Sequence, residues 1–263
     1  MSDWIHALPL GWMALVVLGG TYLVTAAIYL VVMRLATDDR ARAFKGVSTG
    51  LLSPLGILFG LLVAFIAAQV WGDVDRANAA VHHEASALRA VVLLSKGLPG
   101  DTPTRVSALI SRHIREAREV EWPAMARHRA TLTMMPAALG EALELTLALP
   151  VSGDGPALAQ REIIATLDQA LDARRQRILV SQSAVNAVKW LALFVQAACA
   201  LVAIAMVHSD NRSAARLALG LFSTAVAVCI FLITAHDRPF TGQLAVPPTA
   251  LLEVRPEVPQ AEK

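Results

Sequence analysis

Four stretches of this chain, residues 8–33, 51–71, 187–207 and 215–235, are almost wholly apolar and carry no charge at their centres. Each reaches the roughly 20 residues that a helix needs to cross a hydrocarbon core of about 30 Å. The predicted fold is therefore all-α: four transmembrane helices in two pairs, with a helical extramembrane domain that continues the second and third spans. Residues 1–71 hold the first pair and the loop inside it, 72–186 the extramembrane domain, 187–235 the second pair, and 236–263 a Pro-rich C-terminal tail. Composition points the same way. Only 17% of the 263 residues are charged and 56% are hydrophobic, whereas about a quarter of an ordinary globular domain is charged. A lipid bilayer is the first partner this implies. The net charge of +2 offers no broad basic face for a phosphate backbone, which argues against nucleic acid.

The first span has Asp3 and no Lys or Arg ahead of it, and its apolar run exceeds the ~7–15 residues of a signal peptide. It is expected to stay as an anchor. Basic residues in short loops set orientation. Arg34, Arg40, Arg42 and Lys45 lie between the first two spans, and Arg212 and Arg216 between the last two. Those loops are expected in the cytoplasm, and the central segment and both termini in the periplasm of a bacterial inner membrane. Arg174, Arg175, Arg177 and Lys189 flank the third span on the opposite side.

The central segment reads as helical. Val74, Ala77, Val81, Ala85, Leu88 and Val92 recur at steps of three and four, the period of one helix face. With no breaker after Trp71, the second span is predicted to run on as one rod to Gly97, Pro99 and Gly100. A second helix is predicted from Thr102 or Pro103 to about Trp122, with Arg112–Glu116 and Arg115–Glu119 as i,i+4 pairs on its solvated side. A third opens at Pro136 and carries Leu139, Leu143 and Leu147. A fourth, from about Ala157, leads into the third span.

In the second span Gly56, Gly60, Ala64 and Ala68 recur every four residues. Small residues at this spacing let helices approach closely in lipid, which fits either packing within the chain or a subunit interface or pore wall. Pro54 kinks or starts the helix. Gln69 is the polar residue near the span's end, and Asp73, Asp75 and Arg76 mark a pore mouth or merely the water boundary. His82, His83 and Glu84 sit together, but adjacent helix positions point about 100° apart and no partner lies at i+4, so no metal site is expected. Cys199 and Cys229 read as small buried hydrophobes. No nucleophile elbow, zinc-protease, phosphate-loop or dinucleotide motif occurs, so the chain is not read as an enzyme and no cofactor is expected. Asp237, Arg238, Pro239, Phe240, Thr241 and Gly242 form a helix stop, with Gly242 permitting a turn and Phe240 tucked back. The tail after it, with Pro247, Pro248, Pro256 and Pro259, is expected to be extended and flexible.

Taken in order, SPLGILFGLLVAFIAAQVWGDVDRA (53–77), HHEASALRAVVLLSKGLP (82–99), EWPAM (121–125), and DRPFTG with its trailing VPP (237–242, 246–248) resemble the bestrophin-like domain family, a bacterial membrane family. Phe59, Gly60, Phe65 and Trp71 extend the similarity to true bestrophins. Bestrophins are pentameric anion channels whose second helices line a hydrophobic neck. The resemblance implies a homo-oligomer, a pentamer by analogy, that passes small anions, with Ile57, Gly60, Leu61 and Ala64 at the neck. Two departures stand against it. Bestrophins keep their large helical domain in the cytoplasm, opposite to the loop charges here, and their calcium-binding acidic cluster has no match. The competing expectation is a non-conducting scaffold or sensor that acts through its extramembrane helices. A secondary transporter fits less well, because the spans lack clear breaks and ionisable residues at mid-membrane.

Overall fold

The computed structural model describes residues 3–6, 8–133, 136–150 and 152–254. All regular structure among them is helical: α1 (Asp3–His6), α2 (Leu10–Leu35), α3 (Asp38–Ser95), α4 (Thr102–Glu116), α5 (Trp122–Ala126), α6 (Ala137–Leu147), α7 (Asp154–Ser181), α8 (Ala187–Val207), α9 (Arg212–His236) and α10 (Thr249–Leu252). A π-helical turn, Ala117–Glu121, joins α4 to α5. Four helices are long and apolar enough to cross a membrane: α2, the Thr49–Ser95 part of α3, α8 and α9. The rod expected from the second span is present as the 58-residue α3. It starts earlier than predicted, since only residues 36 and 37 separate it from α2, and Pro54 lies inside it instead of opening it.

The chain divides into two compact units, Met1–Gly72 with Ala184–Arg238, and Asp73–Ser183 with Pro239–Lys263. In the first, α2, α8 and α9 pack on one another. Phe59, Ile66 and Val70 of α3 share a core with Met13, Trp190, Leu193, Val226 and Ile230. Lipid tails are as apolar as these side chains, so packing and polar contacts must hold such helices together. The Thr25 and Ser223 hydroxyls meet at 2.6 Å in the buried seam of α2 and α9, and Tyr22 meets Thr224 at 2.6 Å beside them. Asn186 and Asn211 cap the first turns of α8 and α9 with their side-chain oxygens. Cys229 is half-buried, but Cys199 is exposed, contrary to the sequence expectation, because it falls on the outer face of α8.

The third span is not a continuation of the helix before it. α7 ends at Ser181 and α8 begins at Ala187. The break is stabilised locally: the Val185 N–H donates to Asp237 Oδ1 at 2.7 Å, and Asn186 takes an extended backbone before its cap.

The second unit buries Ala77, Val81, Ala85 and Leu88 of α3, as the three-and-four spacing predicts, against Val106 and Ile110 of α4, Leu139 of α6 and Leu167 of α7. Arg112 pairs with Glu116 as expected, and also grips Glu141 of α6 with two hydrogen bonds of 3.0 and 2.8 Å. The segment after α9 is no loose tail through its described part. Phe240, Val246, Leu251 and Val254 are buried in the core of this unit, because four large apolar side chains have more to gain there than in water. Pro256 and Pro259 lie outside the described residues.

Candidate functional site

Positions along an α-helix advance by 100° each, so the second span of α3 presents one face inward and another outward. Phe59, Leu62, Val63, Ile66 and Val70 face the core. Pro54, Gly56, Ile57, Gly60, Leu61, Ala64 and Ala68 are all exposed. A Cβ placed on Gly56 or Gly60 meets no neighbouring atom within 4 Å. Among the described residues the small-residue stripe makes no close helix contact. Phe65, at 73% exposure, stands on the same side and is the large residue that the stripe's spacing did not single out. Gln69 is set apart: it is half-buried and its Oε1 accepts from Lys189 Nζ. Of the three residues expected at a pore mouth, Asp73 is buried and paired with Arg76, itself mostly exposed, while Asp75 is exposed.

Sequence spacing gave no hint of the cluster in the second unit. Glu84, His113, Glu121, Arg174 and Arg177 are all buried there, drawn from α3, α4, the π turn and α7. Arg177 Nε and Nη2 donate to Glu84 Oε2 and Oε1 at 2.7 and 3.0 Å, the forked geometry in which charge-assisted bonds are strongest. Nη2 also donates to Glu121 Oε2 at 2.8 Å, and Nη1 points at Met125 Sδ, 3.6 Å away. Arg174 Nε donates to Glu121 Oε1 at 2.7 Å. His113 Nε2 donates to Glu84 Oε1 at 2.9 Å, which fixes its tautomer, because an ionised carboxylate only accepts. Two carboxylates thus balance two guanidinium groups. Burial alone would push the Glu84 carboxyl up, but Arg177 and His113 hold it at about 2. Burial likewise opposes the Arg177 charge, and Glu84 and Glu121 more than offset that, so its guanidinium is held charged above its ordinary range.

The π turn and α5 explain the Glu-Trp-Pro-Ala-Met run. In the turn the Trp122 N–H bonds back to the Ala117 carbonyl, the i to i+5 pattern often found at special sites. Glu121, Trp122 and Met125 then surround one guanidinium, whose carbon lies 4.6 Å from the Trp122 ring centroid. The indole and the Phe240 ring meet in a T-shaped contact at 5.7 Å and 84°, and the indole N–H donates to the Val246 carbonyl at 3.1 Å. Thr241 Oγ1 donates to the Ala126 carbonyl at 2.8 Å. Gly242 supplies the turn between these contacts with φ +85°. Pro239 and Phe240 are buried and Arg238 is half-buried. Asp237 belongs to the other unit, where it also lies 3.6 Å from His6 Nε2. The motif thus splits into a linker brace, Asp237, and a lock on Trp122. Among the described residues no group of three or more His, Cys, Asp or Glu is placed to hold a metal ion.

The Bestrophin-like domain family matches residues 19–251 of the chain. The fold is similar to the crystal structure of a bacterial bestrophin homolog from Klebsiella pneumoniae carrying a tyrosine-to-alanine mutation. The TM-score is 0.64 at 15% identity, covering 90% of this chain and 96% of that one. No curated protein matches.

Proposed function

The chain belongs to the bestrophin-like domain family, and from that premise we propose that it is an oligomeric membrane channel for small anions, with the second span of each copy beside the symmetry axis. The observation that carries this reading is the exposed face of α3. Gly56, Gly60, Ala64 and Ala68 present a small-residue stripe that is exposed among the described residues, and Ile57, Leu61 and Phe65 stand exposed beside it. A second copy of the same helix fits such a face, because small residues allow close approach in lipid and a closed ring repeats the contact. Large apolar side chains at the axis then form a constriction that gates by dewetting. A pentamer is proposed from the resemblance to bestrophins, in a bacterial inner membrane with the central domain on the periplasmic side that the loop charges favour.

Gly60→Leu is the direct test, because Gly60 is exposed and an added Cβ there meets no described atom within 4 Å. Native mass and anion flux in liposomes are measured on the same preparation. Altered assembly, or flux reduced by about tenfold, is expected if insertion at a packed face costs roughly 1–3 kcal/mol. Wild-type mass and flux in the variant would remove α3 from the axis. A monomeric wild-type protein without flux would remove the channel.

A further inference from the structure

The second unit holds a cavity of about 530 Å³ lined by Arg89 of α3, Lys96 just past its end, Thr104 and Ser107 of α4, and Glu253 of the C-terminal segment. Small-molecule sites are of this size, ~300–1,000 Å³. Thr104 and Ser107 are three positions apart, neighbours on one face of α4. Ser107 is only 7% exposed, and among the described residues its hydroxyl has no hydrogen-bond partner. Buried polar groups in folded proteins nearly always have one, so this hydroxyl calls for a partner from the cavity. Arg89, Lys96 and Glu253 share the same space, and among the described residues none of the three is ion-paired. Glu253 is fixed there by its backbone: its N–H donates to the Thr249 carbonyl at 3.0 Å, and the next N–H, of the buried Val254, donates to the Leu251 carbonyl at 3.1 Å.

We infer that this cavity binds a phosphate group that carries a proton, with Arg89, Lys96 and the Ser107 hydroxyl donating to its oxygens and Glu253 accepting from its P–OH. Two cations against one carboxylate leave the cavity positive, and a cleft of one sign concentrates the opposite ion. The carboxylate then decides which anion stays. An ionised carboxylate only accepts hydrogen bonds, so an oxyanion beside Glu253 must bring a hydrogen to donate. Hydrogenphosphate brings one. Sulfate, fully ionised at neutral pH, brings none and meets Glu253 as a like charge, the repulsive element from which specificity is built. The same protonated group occurs in free phosphate and in the monoester headgroup of phosphatidate. The site lies wholly within the second unit and does not rest on the channel reading.

The experiment measures binding of labelled inorganic phosphate to the full-length protein in detergent at neutral pH by equilibrium dialysis, with chloride holding the ionic strength constant. Wild type is expected to bind saturably and to prefer phosphate over sulfate by a factor of ~10 or more, the worth of one charge-assisted hydrogen bond. Arg89→Gln, Lys96→Gln and Ser107→Ala should each raise the Kd by a similar factor of ~10. Arg89 and Lys96 are exposed, so their variants should fold, and circular dichroism melts check this. Glu253→Gln should let sulfate compete as well as phosphate, because an amide donates as well as accepts. Phosphatidate and phosphatidylglycerol, a diester without the proton, are then added to the micelle. Displacement of labelled phosphate by phosphatidate alone makes a lipid headgroup the source, and displacement by neither makes it free phosphate. No saturable binding in wild type, equal competition by sulfate in wild type, displacement by phosphatidylglycerol, or unchanged affinity in both cation variants overturns the inference. None of these outcomes bears on anion flux, so the channel reading stands or falls separately.

Discussion

Replacing Arg177 by methionine keeps the length of the side chain and removes the charge at the centre of the buried cluster. Glu121 retains Arg174 and Glu84 retains His113, so two buried carboxylates are left against one guanidinium. Breaking a buried pair from one side costs about 3–5 kcal/mol, because the abandoned charge has no water to return to. At ~2 °C or more of Tm per kcal/mol, thermal unfolding followed by circular dichroism at neutral pH should show a fall of at least roughly 6 °C. The same reasoning predicts a rescue. Adding Glu84→Gln removes the stranded charge, and the double variant should recover about half of the loss, since a buried ion pair is often no better than a neutral replacement. A single variant within about 1 kcal/mol of wild type, the size of an ordinary surface effect, would refute the claim that the cluster is dry and tightly coupled. A double variant no better than the single one would refute the assignment of Glu84 as the stranded partner.

Acid should weaken the wild-type protein in a defined window. A carboxyl held at about 2 instead of 4.5 binds its proton less readily in the folded state, so its contribution is complete above 4.5 and is lost as pH falls toward 2. The loss is about 3 kcal/mol at ~1.4 kcal/mol per pH unit, and an acid titration of Glu84→Gln should lack that part of the decline. Gly242→Ala forces a Cβ into φ +85° and should cost about 1–2 kcal/mol in a thermal melt. Gly140→Ala, inside α6 with open space around it, should be neutral or stabilising by up to ~1 kcal/mol.

Periodicity and length made the helices legible. The four apolar runs, the rod after Trp71 and the turns at Gly100 and Gly153 each leave a local trace in the sequence. The break before α8 left only Asn186, a residue type common at helix starts, because its other support, Asp237, lies 52 residues further along the chain. Exposure of the Gly56–Gly60 face was equally out of reach: spacing identifies a stripe that permits close packing but not whether its partner lies in the same chain. The charge cluster was hidden for a related reason. Glu84 and Arg177 are 93 residues apart, and each taken alone resembles a solvated residue, Glu84 beside two histidines and Arg177 among charges flanking a span.

Two of the segments that carried the family resemblance meet at Arg177, and a third joins them through Trp122. One indole packs its ring on the guanidinium, meets Phe240 in a T-shaped contact and donates its N–H to the Val246 carbonyl. Phenylalanine at this position would keep both ring contacts but leave that carbonyl without its donor, and a buried acceptor without a partner costs about 1–3 kcal/mol. From the end of the π turn, one residue before the tryptophan, Glu121 reaches the same guanidinium with its carboxylate. The segment after α9 is consequently part of the charge cluster's shell. It keeps the aromatic lid in place, and the lid helps keep water from ions that are strong together only while they stay dry.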